Sequence, residues 1–292
     1  MSYIDDEIKR YELSDEEFEK NADKIFNILS MNASKVDNPK LVIVGGQAGS
    51  GKTGLVCKKN EELGGAIIID QDEIRASFPE ELYEQILKDH DDREEYLILK
   101  PYVLKMRQEL VDRARRQGYN VIMESAMQAV DSFIPQIQSF KAVGYETELA
   151  VMAVPEIDCF LSTLNRYCYY LEKDGICRRN TKMDPQMMIK LKNNLVKFEN
   201  TGLFDNIEVD IRGKNATDKP ERIYLRSEEP YTSALEAFNR GIMLSQAKTR
   251  NTFPERANSI RSTLSKYNQE EQLQMLGELE TRFKEFEEEG RE

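Results

Sequence analysis

The segment Gly46-Gln47-Ala48-Gly49-Ser50-Gly51-Lys52-Thr53 constrains this chain more than any other, because it fits G-x-x-x-x-G-K-[ST] without deviation. It follows the short β-branched run Leu41-Val42-Ile43-Val44 and precedes a helical pattern from Thr53 to Glu62, closed by Gly64-Gly65. In that context the glycines let backbone N–H groups turn inward around phosphate oxygens. Lys52 offers a point charge to the β and γ phosphates, and the Thr53 hydroxyl is placed to ligate Mg2+. The start of the helix adds its partial positive charge. The segment implies ATP or GTP as phosphoryl donor with Mg2+ as cofactor.

The rest of the pattern supports a parallel sheet. Ala66–Ile69, Tyr119–Met123 and Thr147–Val154 read as further buried strands, separated by helix-length segments, and Ile207–Ile211 as the last strand of the core. Arg222–Leu225 reads as an edge strand. Ser14-Asp15-Glu16-Glu17 resembles a capping box opening a helix to about Met31. The charged stretch from Pro79 to Gln117 is predicted helical with a break near Pro101. Ile157–Leu171, Pro185–Glu199, Ser233–Ser245 and Ser259–Glu289 are predicted as later helices. The expected fold class is α/β, a P-loop kinase fold with a mainly parallel sheet flanked by helices and a helical C-terminal appendage. The expected divisions are residues 1–40 (helix and linker), 41–212 (core) and 213–292 (appendage).

Composition narrows the chemistry. The chain has 292 residues and a formal charge of −12, which argues against broad binding to nucleic acid, since such binding draws on Lys and Arg neutralising phosphates. No window approaches the roughly 18 apolar residues of a membrane span, and the acidic start does not resemble a signal peptide, so the cytoplasm is the expected compartment. The four cysteines form no C-x-x-C pair. With one histidine, His90, the general base is expected to be a carboxylate.

Two predicted strands close on acids. Ile67-Ile68-Ile69 runs into Asp70-Gln71-Asp72, and Val121-Ile122-Met123 into Glu124, at the strand ends where α/β sheets bind ligands. A carboxylate there can take the proton of an acceptor hydroxyl, and Asp72 is the candidate base. Asp70 serves either Mg2+ through a water or the cap of the next helix. Glu124 is a candidate for the metal shell or the acceptor. Charge developing on the transferred phosphoryl group needs cations beyond Lys52, and Arg166, Arg178 and Arg179 follow the fourth strand.

These residues resemble the zeta toxins of bacterial toxin–antitoxin systems, P-loop kinases that phosphorylate UDP-N-acetylglucosamine and related UDP-sugars. The likeness runs from about Leu41 to Arg212, through Gly45–Thr53, Ile69-Asp70-Gln71-Asp72, Gly118-Tyr119-Asn120 with Glu124, Gly144–Thr147, Val151–Pro155, Arg166-Tyr167 and Thr201–Phe204. It implies Asp72 as catalytic base, Lys52 and Thr53 as phosphate and Mg2+ groups, and Arg166 and Arg179 as the two arginines near the transferred phosphate. It also implies a UDP-sugar acceptor, a sugar-nucleotide pocket shaped by the helices between the second and third strands, and an antitoxin that blocks the nucleotide site.

The chain departs from the family where the acceptor is held. Where the family usually has Gly-Thr and an arginine, Glu124 is followed by Ser125-Ala126-Met127-Gln128, of which Ser125 and Gln128 retain hydrogen-bonding groups for a substrate. A family acid that contacts the sugar falls near Gln108, with Glu109 adjacent. The family's basic or histidine-containing stretch after the second arginine reads Asn180-Thr181-Lys182-Met183-Asp184 here. Two other readings stay open: a P-loop kinase for another nucleotide or small molecule, and a non-catalytic nucleotide-binding protein whose C-terminal helices dock a partner.

Overall fold

The computed structural model of the chain describes residues 3–175, 184, 186–214 and 218–288. Six strands form one sheet in the order β2-β3-β1-β4-β5-β6. They are β1 (Lys40–Gly45), β2 (Ile67–Ile69), β3 (Val121–Ser125), β4 (Glu146–Met152), β5 (Asn206–Ile211) and β6 (Glu221–Leu225). β2 pairs with β3 and β4 with β5 in parallel, while β6 closes the edge antiparallel to β5. The sheet is mainly parallel and flanked by helices, as the alternating sequence pattern predicts.

The chain divides into two compact units, the first comprising residues 1–42, 59–124 and 139–146, the second residues 43–58, 125–138 and 147–292. In the first unit, α1 (Tyr3–Arg10) and α2 (Asp15–Ser30) precede β1. The Ser14 capping box forms as predicted, its hydroxyl accepting from the Glu17 N–H while the Glu17 carboxylate accepts from the Ser14 N–H at 3.0 Å. α3 (Lys52–Glu62) links the units in sequence, and α4 (Gln71–Ala76), α5 (Glu80–Asp89) and α6 (Asp92–Gln117) follow β2.

The predicted break at Pro101 does not occur. α6 runs through it, and the chain breaks earlier, at His90 and Asp91. The reason is local: Asp91 makes a capping box with Glu94, two donors satisfied at a new helix start. Pro101 lies on the exposed side of α6, away from the packed face. A small core gathers Tyr11, Phe78, Ile86, Ile98 and Leu99, with Tyr102 edge-on to Phe78 at 4.8 Å between ring centres.

The second unit holds the end of β1, the phosphate-loop segment, β4, β5 and β6. It also holds α8 (Glu156–Asp174), α9 (Gln186–Asn200), α10 (Ala234–Lys266) and α11 (Glu270–Glu288); α7 (Val130–Lys141) spans the sequence boundary. The two helices predicted for 233–245 and 259–289 are placed differently. α10 is continuous through Pro254, and the turn falls at Tyr267–Gln269, where Asn268 takes a positive φ of 55°. Pro254 is again exposed, while its neighbour Phe253 stacks on Phe283 with ring centres 4.0 Å apart. Packing of α10 against α8 and α11 through Phe160, Leu164, Ile260, Leu264 and Leu279 keeps the helix continuous against a local propensity of about 3 kcal/mol.

Candidate functional site

Leu41, Val42, Ile43 and Val44 are fully buried and fix β1 as an interior strand that delivers the chain into the loop. Two glycines make the loop's path possible. Gly49 has φ 77°, and a Cβ there would lie 2.1 Å from the carbonyl oxygen of Cys159; Gly51 has φ 92°. Only glycine adopts this sequence of conformations cheaply at such close approach. The Ser50 N–H donates to the Gln47 carbonyl at 3.0 Å and closes the turn. The Lys52 ammonium folds back over the loop and donates to the carbonyls of Gly46 and Gln47 at 2.9 and 3.0 Å.

α3 begins at Lys52 and carries no acid in its first turn, so nothing in that turn offsets the positive end of the helix. Thr53 is exposed there. The Gln47 amide and the Ser50 hydroxyl are buried and, among the described residues, have no hydrogen-bond partner. Such orphaned groups inside a glycine loop fit a polar ligand. α3 is braced by Lys58, whose ammonium bonds Glu208 at 2.8 Å and Asp210 at 2.5 Å, two acids that alternate onto one face of β5.

Burial, then the neighbouring Glu208, push the Asp210 carboxyl up to about 7, against the pull of Lys58. Between the ordinary value of 3.8 and about 7, folding therefore takes up a proton, and this group's contribution to stability falls as pH rises through that window. Asp210→Asn removes the ionisable group. Its Tm, measured against wild type, is expected to gain about 2–4 °C on going from about pH 5 to about pH 8. A difference that stays constant with pH would show that Asp210 does not carry this titration.

In the first unit, β2 and β3 run in parallel with Ile69 opposite Met123, so Asp70 and Glu124 follow at neighbouring strand ends. Asp70 caps α4: its Oδ1 accepts from the Asp72 N–H at 2.8 Å, the capping alternative of its two expected roles. Asp72 sits in the first turn of α4 with its side chain 60% exposed and 3.3 Å from Arg75. Glu124 is half-buried. Gln108 lies on the exposed side of α6, where its amide donates to Asp112 at 2.9 Å.

Ser125 and Gln128 belong to the second unit. The Ser125 hydroxyl is buried and accepts from the Met127 N–H at 2.9 Å, and Gln128 donates to the carbonyls of Ala126 and Met187 at 3.0 and 3.3 Å. Met127 takes a positive φ of 55°, and its thioether fills the space where a Cβ on Gly45 would stand. Asn194 holds this turn by donating to the Met127 carbonyl at 2.6 Å. Arg166 is exposed on α8. Arg178 and Arg179 lie outside the described residues.

One cluster was not foreseen from the sequence. Arg212, directly after β5, donates through Nε to the Ser50 carbonyl at 3.2 Å and through Nη2 to the Gly49 carbonyl. Its Nη1 bonds Asp158 at 2.8 Å, and Arg256 of α10 bonds the same carboxylate oxygen at 2.5 Å. Burial pushes the Asp158 carboxyl up, but the two guanidiniums outweigh it and hold it below its usual range. Arg212 follows β5 directly, as Asp70 follows β2, but its partners Asp158 and Arg256 come from distant segments that no local pattern connects to it.

No helix among the described residues is long and apolar enough to cross a membrane. The sequence profile of the zeta toxins matches residues 23–225. The zeta toxin of Streptococcus agalactiae is 30% identical over 232 residues, covering 78% of each chain. The PezT toxin of Streptococcus pneumoniae is 31% identical over 215 residues, 72% of this chain and 82% of its own. A solved structure from the PezAT chromosomal toxin–antitoxin system of Streptococcus pneumoniae is similar with a TM-score of 0.73, at 24% identity, over 88% of this chain and 98% of that one. The AvrRxo1-ORF1:-ORF2 structure with ATP follows at a TM-score of 0.55 and 15% identity, over 86% and 84%. Both structural likenesses are of fold. With the profile covering most of the chain and curated relatives aligned over more than two thirds of it, the chain belongs to the zeta toxin family, whose members are kinase-like phosphotransferases.

Proposed function

We propose that the protein transfers the γ-phosphate of ATP or GTP to a hydroxyl of a UDP-sugar, with UDP-N-acetylglucosamine as the favoured acceptor. The observation that carries this reading is the glycine loop opening α3 without an acid in its first turn, with Lys52 folded over the loop mouth. Residues 46–53 hold the phosphates. Lys52 and Arg166, with Arg179, balance charge on the group in transfer. Asp72, exposed at the head of α4, takes the proton of the acceptor hydroxyl as its oxygen bonds to the γ-phosphorus and the nucleoside diphosphate leaves. Glu124 contacts the acceptor.

Mg2+, when bound, neutralises phosphate charge, and the Thr53 hydroxyl is the group that would hold it together with phosphate oxygens and water. The orphaned polar atoms of Gln47 and Ser50 support a site of this polarity. An antitoxin is the expected protein partner, in line with the toxin–antitoxin system of the pneumococcal relative. The cytoplasm is the compartment in which these substrates meet.

A second reading, a different small-molecule acceptor, is favoured by one observation: the Ser125 hydroxyl and the Gln128 amide, expected to face a substrate, both bond to backbone. Phosphate transfer from labelled ATP and GTP to a panel of UDP-sugars decides between them. Product with wild type and none with Lys52→Ala or Asp72→Asn supports the proposal and names the acceptor. Nucleotide binding without transfer to any UDP-sugar sinks the first reading in favour of the second.

A further inference from the structure

A phosphate loop works only if its peptide N–H groups face the anion, and a trans peptide then turns the carbonyls away from it. Carbonyls turned into the protein need donors, because a buried unpaired carbonyl is costly. At Gly49 and Ser50 one side chain meets that need. The Arg212 fork takes both carbonyls, and its remaining bonds go to Asp158 and to the Ser162 hydroxyl at 2.9 Å.

The fork is itself held from α10. Arg256 bonds Asp158 and donates to the Ser162 hydroxyl at 2.7 Å, so the two arginines share both acceptors. Thr249, also of α10, donates to the other Asp158 oxygen at 3.4 Å. Asp158 is buried, and Gly49 and Gly51 on either side of Ser50 both have positive φ. Glycines on both sides make rotation of these two peptide planes cheap; within the loop the Ser50 N–H holds the first of them to the Gln47 carbonyl at 3.0 Å, and the Arg212 fork grips the carbonyls of both.

We propose that Arg212 is the positioning residue of the phosphate loop, fixing the peptide planes on either side of Ser50, and that α10 sets Arg212 through Arg256 and Asp158. The inference rests on the nucleotide-binding reading above and adds a role for the C-terminal helices: they hold the loop in its anion-binding form from behind. Arg212 makes its contacts on the carbonyl side of the loop, so its effect on a nucleotide passes through the backbone.

Two measurements on the full chain test this. The first is hydrogen exchange over residues 46–54 without nucleotide, for wild type, Arg212→Met, Arg212→Lys and Arg256→Met. The second is the dissociation constant of ATP and of GTP for the same proteins. Arg212→Met is expected to speed exchange in the loop alone and to weaken nucleotide binding about 10- to 100-fold, the worth of charge-assisted hydrogen bonds. Arg212→Lys recovers little, since an ammonium cannot replace a planar fork.

Arg256→Met gives a smaller loss, and its effect disappears in the Arg212→Met background, because both act through one network. Loop exchange and nucleotide affinity unchanged in Arg212→Met would overturn the proposal. So would faster exchange throughout β4 and β5, which would make Arg212 a general stabiliser. If wild type binds neither nucleotide, the functional reading fails, while the exchange experiment still decides whether Arg212 holds the loop.

Discussion

Asp72→Asn is expected to lower kcat by roughly 10²- to 10⁴-fold, the range for removing a general base, while leaving the dissociation constant of the donor nucleotide unchanged. The asparagine keeps the shape of the side chain and loses the lone-pair charge that accepts the hydroxyl proton. Structural damage is small. Asp72 is exposed, its pair with Arg75 is one helical turn apart on the surface, and such pairs contribute about 0.2–0.5 kcal/mol. Asp70, which caps α4, is untouched. The measurement is single-turnover transfer beside nucleotide titration. A variant that retains more than about a tenth of wild-type kcat would remove Asp72 from the role of base.

Lys52→Ala is expected to act on both steps, weakening the donor nucleotide and lowering kcat about 10²- to 10³-fold, as loss of a preorganised cation at developing charge does. The structure gives this variant a distinctive signature. Lys52 bonds the carbonyls of Gly46 and Gln47 across the loop mouth. Its removal takes two bonds from the loop itself, so hydrogen exchange at Gln47–Ser50, measured without added ligand, should rise. Tight nucleotide binding by Lys52→Ala, read by calorimetry, would place the phosphates elsewhere.

Some parts of this molecule follow directly from local sequence. The strand–loop–helix around Gly46–Thr53 does, because each residue type there answers a local requirement: apolar β-branched residues before, glycines at positive φ, a helix start after. The Ser14 capping box is of the same kind. The prolines are not. Pro101 and Pro254 both suggest breaks by their own propensity, yet each sits on the exposed side of a helix whose opposite side is deeply packed, and packing prevails.

The break at His90 was hidden for the complementary reason, since Asp91 and Glu94 look like any acids in a charged stretch until one caps the other. At the candidate site, local sequence placed Lys52 at the start of α3 and Asp72 in the first turn of α4. Ser125 and Gln128 looked like substrate-facing groups because their backbone partners, Met127, Ala126 and Met187, are set by the turn's geometry. The bracing of the loop was not legible, because Asp158, Arg212 and Arg256 come from three distant segments.

That spacing bears on synthesis. The loop at residues 46–53 leaves the ribosome well before Arg212, which grips its outer carbonyls, and before Arg256, which bonds Asp158 beside Arg212. A domain folds as a unit as the chain emerges. A nascent chain stopped short of α10 would therefore carry every residue of the phosphate motif and still lack Arg256, the group that holds Asp158 and Ser162 beside Arg212.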